Sequence, residues 1–325
     1  MLKLLKASPA LPLIFMPLMA ILLWLLAFGH FFHIDSQYQG FVYSQLVKYL
    51  SHYPQKYVAA GCITLFILQA LHLNYILNRH EVLFVNTWLP SIIYVMVAAA
   101  FTPFLCLHPL LLVQSIFIFI LEKIFRLYKN PETKALDFDT GMLIGVATLI
   151  YLNSIFIFLT FFVGLFILKP FHWRDSLISL LGFCTPFFIL YGILFLMRIP
   201  LPPLLENGSS QIAFRIPQSA SVNYTLWITI GVLVFLVILS LMKLSANFYK
   251  NVIRTRNMQQ VVFILLLTTI LSALFAGNVS FIRYYFICAP VSVIISYYFV
   301  ATKKTILPEI LFLSLLACVI YNITR

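Results

Sequence analysis

Charge is what this sequence has least of. Only 9% of its 325 residues are Asp, Glu, Lys or Arg, against about a quarter in soluble domains, which excludes a soluble globular chain. Acids are the scarcer sign, nine against 21 basic residues, so chemistry that needs a dense carboxylate cluster has little to draw on. The five cysteines (Cys62, Cys106, Cys184, Cys288 and Cys318) stand singly in or beside apolar runs, without disulfide or metal-ligand spacing. No motif calls for a cofactor or a divalent metal. No tandem repeat or low-complexity tract is evident. The first apolar run also lacks a signal-peptide cleavage site, ending instead in Ala27-Phe28-Gly29-His30-Phe31-Phe32-His33, and it reads as retained.

Apolar residues are abundant, at 62%. They recur in runs of about twenty, the length that crosses a hydrocarbon core of roughly 30 Å. The chain therefore reads as all-α and polytopic, one transmembrane domain over 1–325, with spans near 11–32, 57–78, 87–107, 110–128, 140–153, 154–169, 175–197, 225–242, 260–277, 284–301 and 305–323. That makes about eleven. As one helix, 140–169 would be about 45 Å long, too long without strong tilt, so a hairpin split at Asn153-Ser154 is expected. Basic-residue bias agrees. With the hairpin and a cytoplasmic N-terminus, fifteen of the 21 basic residues lie inside and six outside; without it, the division is eleven against ten. The expected location is the inner membrane, with an extracytoplasmic C-terminus. The net charge of +12 then belongs to cytoplasmic loops and anionic lipid rather than to nucleic acid.

In this topology Asp35 and Glu206 are the extracytoplasmic acids, while Glu81, Glu122, Glu132, Asp137, Asp139 and Asp175 lie inside and Glu309 sits in the last span. The first outer loop, 34–56, has helical periodicity, with Val42, Leu46, Leu50 and Tyr53 on one face, as expected of a helix in the interface. The second, 198–224, is broken by Pro200, Pro202, Pro203 and Pro217 and reads as irregular. The outer loop ends gather His30, His33, Asp35, His108, Glu206 and Arg283. A carboxylate near apolar walls, such as Asp35, has the chemistry of a general base. Arg283 has that of a phosphate clamp. The bland alternatives are a solvated or capping Asp35, an Arg283 that snorkels to headgroups, and a polar stripe of Gln69, His72 and Asn74 that only joins helices. His30, His33, His108 and Asp35 as a metal site is a weaker reading.

The order of these features resembles the GT-C superfamily of membrane glycosyltransferases. There a first span is followed by an acidic motif of the form D-E-x-x-Y, matched by Asp35-Ser36-Gln37-Tyr38; a G-L-x-x-G-L-A stretch before a short hairpin is matched by Gly141-Met142-Leu143-Ile144-Gly145-Val146-Ala147; an R-Y motif followed by proline is matched by Arg283-Tyr284 and Pro290. Ser36 stands where the family often has a second acid. The resemblance implies transfer of a sugar from a polyprenyl-phosphate-linked donor to an envelope lipid or glycan on the extracytoplasmic face. Asp35 would be the base, Arg283 with Tyr284 would hold the donor phosphate, and His33, His108 and Glu206 would complete the binding site. The chain is also similar to a family of bacterial polytopic membrane proteins that shares Arg79, the stretch Asn86 to Pro90 and Phe171-His172-Trp173-Arg174, for which no activity is implied. A non-catalytic scaffold or assembly protein on the same fold, and a lipid or solute transporter, are the alternative functions.

Overall fold

The computed structural model describes residues 10–28, 41–128, 130, 134–170, 172–198, 224–276, 281–302 and 306–324. Asp35, His30, His33 and Glu206 lie outside the described residues. The described elements are helical: α1 (Ala10–Phe28), α2 (Phe41–Leu50), α3 (Gln55–Arg79), α4 (Leu89–Ala99), α5 (Pro109–Arg126), α6 (Lys134–Ile150), α7 (Ile157–Leu168), α8 (Trp173–Leu196), α9 (Tyr224–Asn247), α10 (Ile253–Leu274), α11 (Cys288–Ala301) and α12 (Ile306–Thr324), with short 3-10 turns between several of them. Among the described residues six helical segments are long and apolar enough to cross a membrane: α3, α8, α9 with its 3-10 extension, α10, α11 with the 3-10 turn before it, and α12. The protein is a multi-pass helical membrane protein.

Helices that are apolar all round must be covered by protein or by lipid, and the bundle uses both solutions. Every residue of α4 is buried, and α11 is buried over Cys288–Phe299; these two helices form the centre. Around them, α1, α8 and α12 turn Leu18, Leu25, Phe188, Phe195, Leu196 and Ile310 outward, a continuous apolar exterior that suits acyl chains.

The chain reverses between α6 and α7. Tyr151 is extended (φ −141°, ψ 110°) and begins a 3-10 turn over Leu152–Phe156. The reversal brings Lys169, at the end of α7, to within 2.8 Å of Asp137 near the start of α6, residues that one continuous helix would hold about 48 Å apart. Lys169 also meets Asp175 of α8 at 2.8 Å. α6 and α8 are packed closely through glycine: a Cβ on Gly141 would lie 2.0 Å from the Ser179 carbonyl oxygen, on Gly145 2.5 Å from that of Phe183, and on Gly182 2.2 Å from that of Phe138. Small residues at every fourth position, such as Gly141 and Gly145, let helix backbones approach this closely in membranes. Gly141 and Gly145 therefore have a packing reason to be present, whatever else their motif means.

The face buried by α2 differs from the expected one. Tyr43, 1% exposed, is its buried residue, with Val47 and Leu50 packed on the core, and Tyr53 is exposed. A phenol in an apolar setting needs an acceptor, and Tyr43 donates to the Leu107 carbonyl at 2.9 Å. The stripe Tyr43, Val47 and Leu50 is offset by about one position from the expected Val42, Leu46 and Leu50, with Leu50 common to both.

Candidate functional site

The two ends of α10, roughly 33 Å apart for a helix of its length, mark two polar regions of different character. At its N-terminal end, ionised side chains pair across helix ends: Arg79 with Glu122 at 3.6 Å, Lys123 with Asp139 at 2.7 Å, Lys169 with Asp137 and Asp175, and Arg254 with Glu81 at 3.8 Å. Glu122 also meets His72 at 3.2 Å and takes a short bond from Arg126. His72 thus joins α3 to α5, the gluing role weighed for the stripe. The six acids expected on the inner side include Glu81, Glu122, Asp137, Asp139 and Asp175, and the fold brings all five to this end.

His80 sits among these groups as the residue that ends α3. It is 6% exposed. Burial pushes its pKa down to about 4, and the Arg254 and Arg79 guanidinium groups add to the shift. The folded value lies below the unfolded value of about 6.5, so the unfolded chain binds the proton more readily, and stability falls as pH drops from about 6.5 toward 4. Unfolding midpoints in detergent across that window should decline for the wild-type chain and decline less for His80→Phe. Equal slopes would show that His80 is not the responsible group.

At the other end of α10 lies Arg283, in the 3-10 turn Phe281–Ile287. Its side chain does not reach outward: the residue is 3% exposed, donates to the Ala276 carbonyl at 3.3 Å and the Tyr284 hydroxyl at 3.1 Å, and holds its guanidinium 5.0 Å from the Tyr284 ring centroid. His108 is wholly buried. It caps α5, its Nδ1 accepting from the Leu111 N–H at 3.0 Å, which leaves the neutral ring's proton on Nε2. Its ring stands edge-on to Tyr285 at 4.6 Å. Beneath lies a buried network that the sequence does not announce. Tyr94 donates to Gln69 Oε1 at 2.9 Å, with the Tyr285 hydroxyl 3.4 Å from that of Tyr94, while Gln69 Nε2 donates to the Leu111 carbonyl at 2.7 Å and to Ser115 at 2.8 Å. Tyr94 and Tyr285 are spaced like any other core aromatics, and only the glutamine inside an apolar helix hinted at them. The structure therefore gathers Arg283, Tyr284 and His108 at one end, close to the carbonyl of Leu107 that anchors α2.

No protein family, no curated protein and no solved structure matches this chain.

Proposed function

We propose that this protein is a GT-C-like glycosyltransferase of about eleven spans in the inner membrane, taking a sugar from a polyprenyl-phosphate-linked donor and passing it to an envelope lipid or glycan. The observation that carries the reading is the burial of Arg283. A snorkelling arginine extends to headgroups, whereas this one is turned inward, with Tyr284 beside it and α2, the helix that follows Asp35 in sequence, near at hand. A guanidinium's fork of donors matches a phosphate in both geometry and charge. By the positive-inside rule, the end that gathers Arg79, Lys123, Arg126, Lys169 and Arg254 is cytoplasmic, so Arg283 faces the extracytoplasmic side along with the C-terminus.

In the transfer, the acceptor oxygen attacks the sugar's anomeric carbon and the carbon–oxygen bond to phosphate breaks. The acceptor proton passes to Asp35, and polyprenyl phosphate leaves with Arg283 stabilising its charge. His33 and Glu206 would contact the acceptor; His108 supports Tyr285 from below. Asp35→Asn should lower transfer by at least about 100-fold with membrane levels unchanged, read by mass spectrometry of envelope glycans and lipids in cells complemented with each variant. Normal products from a well-expressed Asp35→Asn, and again from Arg283→Gln, would replace this reading with a non-catalytic assembly protein or a transporter.

A further inference from the structure

The charged end of the bundle also contains a cavity of about 610 Å³. Its wall is cationic, with Arg79 from the last turn of α3, Arg126 from the last turn of α5 and Arg254 from the first turn of α10; His80, Phe125 and Leu136 complete the part that matters. The three arginine side chains are 39–48% exposed, and so within reach of a ligand. Their acidic partners do not exhaust them. Glu122 is divided among Arg79, Arg126 and His72, and Glu81, 65% exposed, stands 3.8 Å from Arg254, beyond hydrogen-bond distance.

Two groups in this wall have unmet hydrogen bonds. Among the described residues, neither ring nitrogen of His80 has a partner although the residue is 94% buried, and the buried Nε of Arg254 has no acceptor. Buried polar atoms left this way are costly and call for an explanation. A third cost lies in the backbone. Glu81 adopts φ 55° where a helix end normally places glycine. The turn is held from α10, by Thr255 donating to the Glu81 carbonyl at 3.1 Å and Gln259 donating to that of Val82 at 3.0 Å. Finally, Arg254 and Arg256 occupy the first turn of α10, which contains no acid. Cations at a helix N-terminus oppose the helix dipole, and an anion bound there would relieve them.

We propose that this cavity binds a terminal phosphate group, gripped by Arg79, Arg126 and Arg254 with His80 at its base. Phosphate oxygens accept from the exposed guanidinium forks; a small shift of the wall on binding brings Arg254 Nε and the neutral His80 ring, both closed off from solvent in the structure, within reach to donate one further hydrogen bond each, and Phe125 and Leu136 offer an apolar flank to whatever the phosphate is attached to. The source is either the headgroup of an anionic lipid or a soluble phosphate. The site is independent of the chemistry proposed around Arg283, at the opposite end of α10.

The test uses the purified full-length chain. In detergent, inorganic phosphate should raise the unfolding temperature more than chloride at matched ionic strength. In nanodiscs, phosphatidic acid in phosphatidylcholine should raise it more than phosphatidylcholine alone, and native mass spectrometry should find phosphatidic acid retained. Compared within each variant, Arg254→Gln and His80→Phe should lose the shift or require about tenfold more anion, a loss equivalent to one charge-assisted hydrogen bond. Arg174→Gln, which removes an exposed cation elsewhere at this end, should keep it, and Arg254→Lys should fall between. A response to phosphatidic acid but not to inorganic phosphate identifies a lipid headgroup; a response to inorganic phosphate identifies a site that soluble phosphates fill. The proposal fails if neither anion exceeds its control, or if Arg254→Gln and His80→Phe both keep the full shift.

Discussion

Lys169→Met is expected to be the most destabilising single substitution in the described part of the chain. The ammonium is shared by Asp137 and Asp175 at 2.8 Å each, and the three side chains are 7%, 0% and 12% exposed. It joins the end of α7 to the starts of α6 and α8, so the one group closes the hairpin and ties it to its neighbour. Removing one partner of a buried ionic cluster costs about 3–5 kcal/mol, because the charges left behind have already been taken out of water. Replacing all three by neutral residues of similar size removes both the attraction and the desolvation cost. Asp137→Asn/Lys169→Met/Asp175→Asn should therefore recover most of what Lys169→Met loses. Denaturation in a mild detergent measures both variants. If Lys169→Met unfolds within about 1 kcal/mol of wild type, or the triple variant is worse than the single, the cluster does not hold the hairpin.

The glycine contact between α6 and α8 gives the second large effect. At Gly141 and Gly182 a new Cβ meets backbone 2.0–2.2 Å away, and backbone cannot swing aside as a side-chain end can. Gly141→Val or Gly182→Val should separate the helices at a cost at or above the roughly 1–3 kcal/mol typical of overpacking. Cysteine pairs placed across the α6–α8 seam should lose their crosslinking efficiency in these variants. Gly61 and Gly192 provide the contrast, since a Cβ at either meets nothing within 4 Å. Within helices, Gly61→Ala and Gly192→Ala should stabilise by about 0.4–1 kcal/mol. Destabilisation at all four positions would mean that the close approach at Gly141 and Gly182 is not what sets these two apart from Gly61 and Gly192.

Much of the architecture was legible in the residues. Lipid-compatible runs are read from local composition, and the break within 140–169 follows from a helix being too long for a bilayer; the chain does reverse there, between Tyr151 and Phe156. Glu81, Glu122, Asp137, Asp139 and Asp175, expected on a common side, do share one end of the bundle. Two things were not legible. The burial of Tyr43 in α2 goes with a hydrogen bond to Leu107, which joins positions 64 residues apart and leaves no periodic trace. His80 gave no signal because its neighbours Arg126 and Arg254 are remote in sequence.

By itself, then, the sequence determined that this is a helical membrane protein, roughly where its chain enters and leaves the apolar runs, and where its few carboxylates fall along it. Hydrophobic transfer and helix length are properties of short stretches, so they can be read in order along the chain. The tertiary structure decided which charges are shared, which glycines face backbone, that Arg283 turns inward, and that three distant arginines and a buried histidine line one cavity. Those outcomes depend on distances across helices, where a few ångströms separate an ion pair from an open binding site.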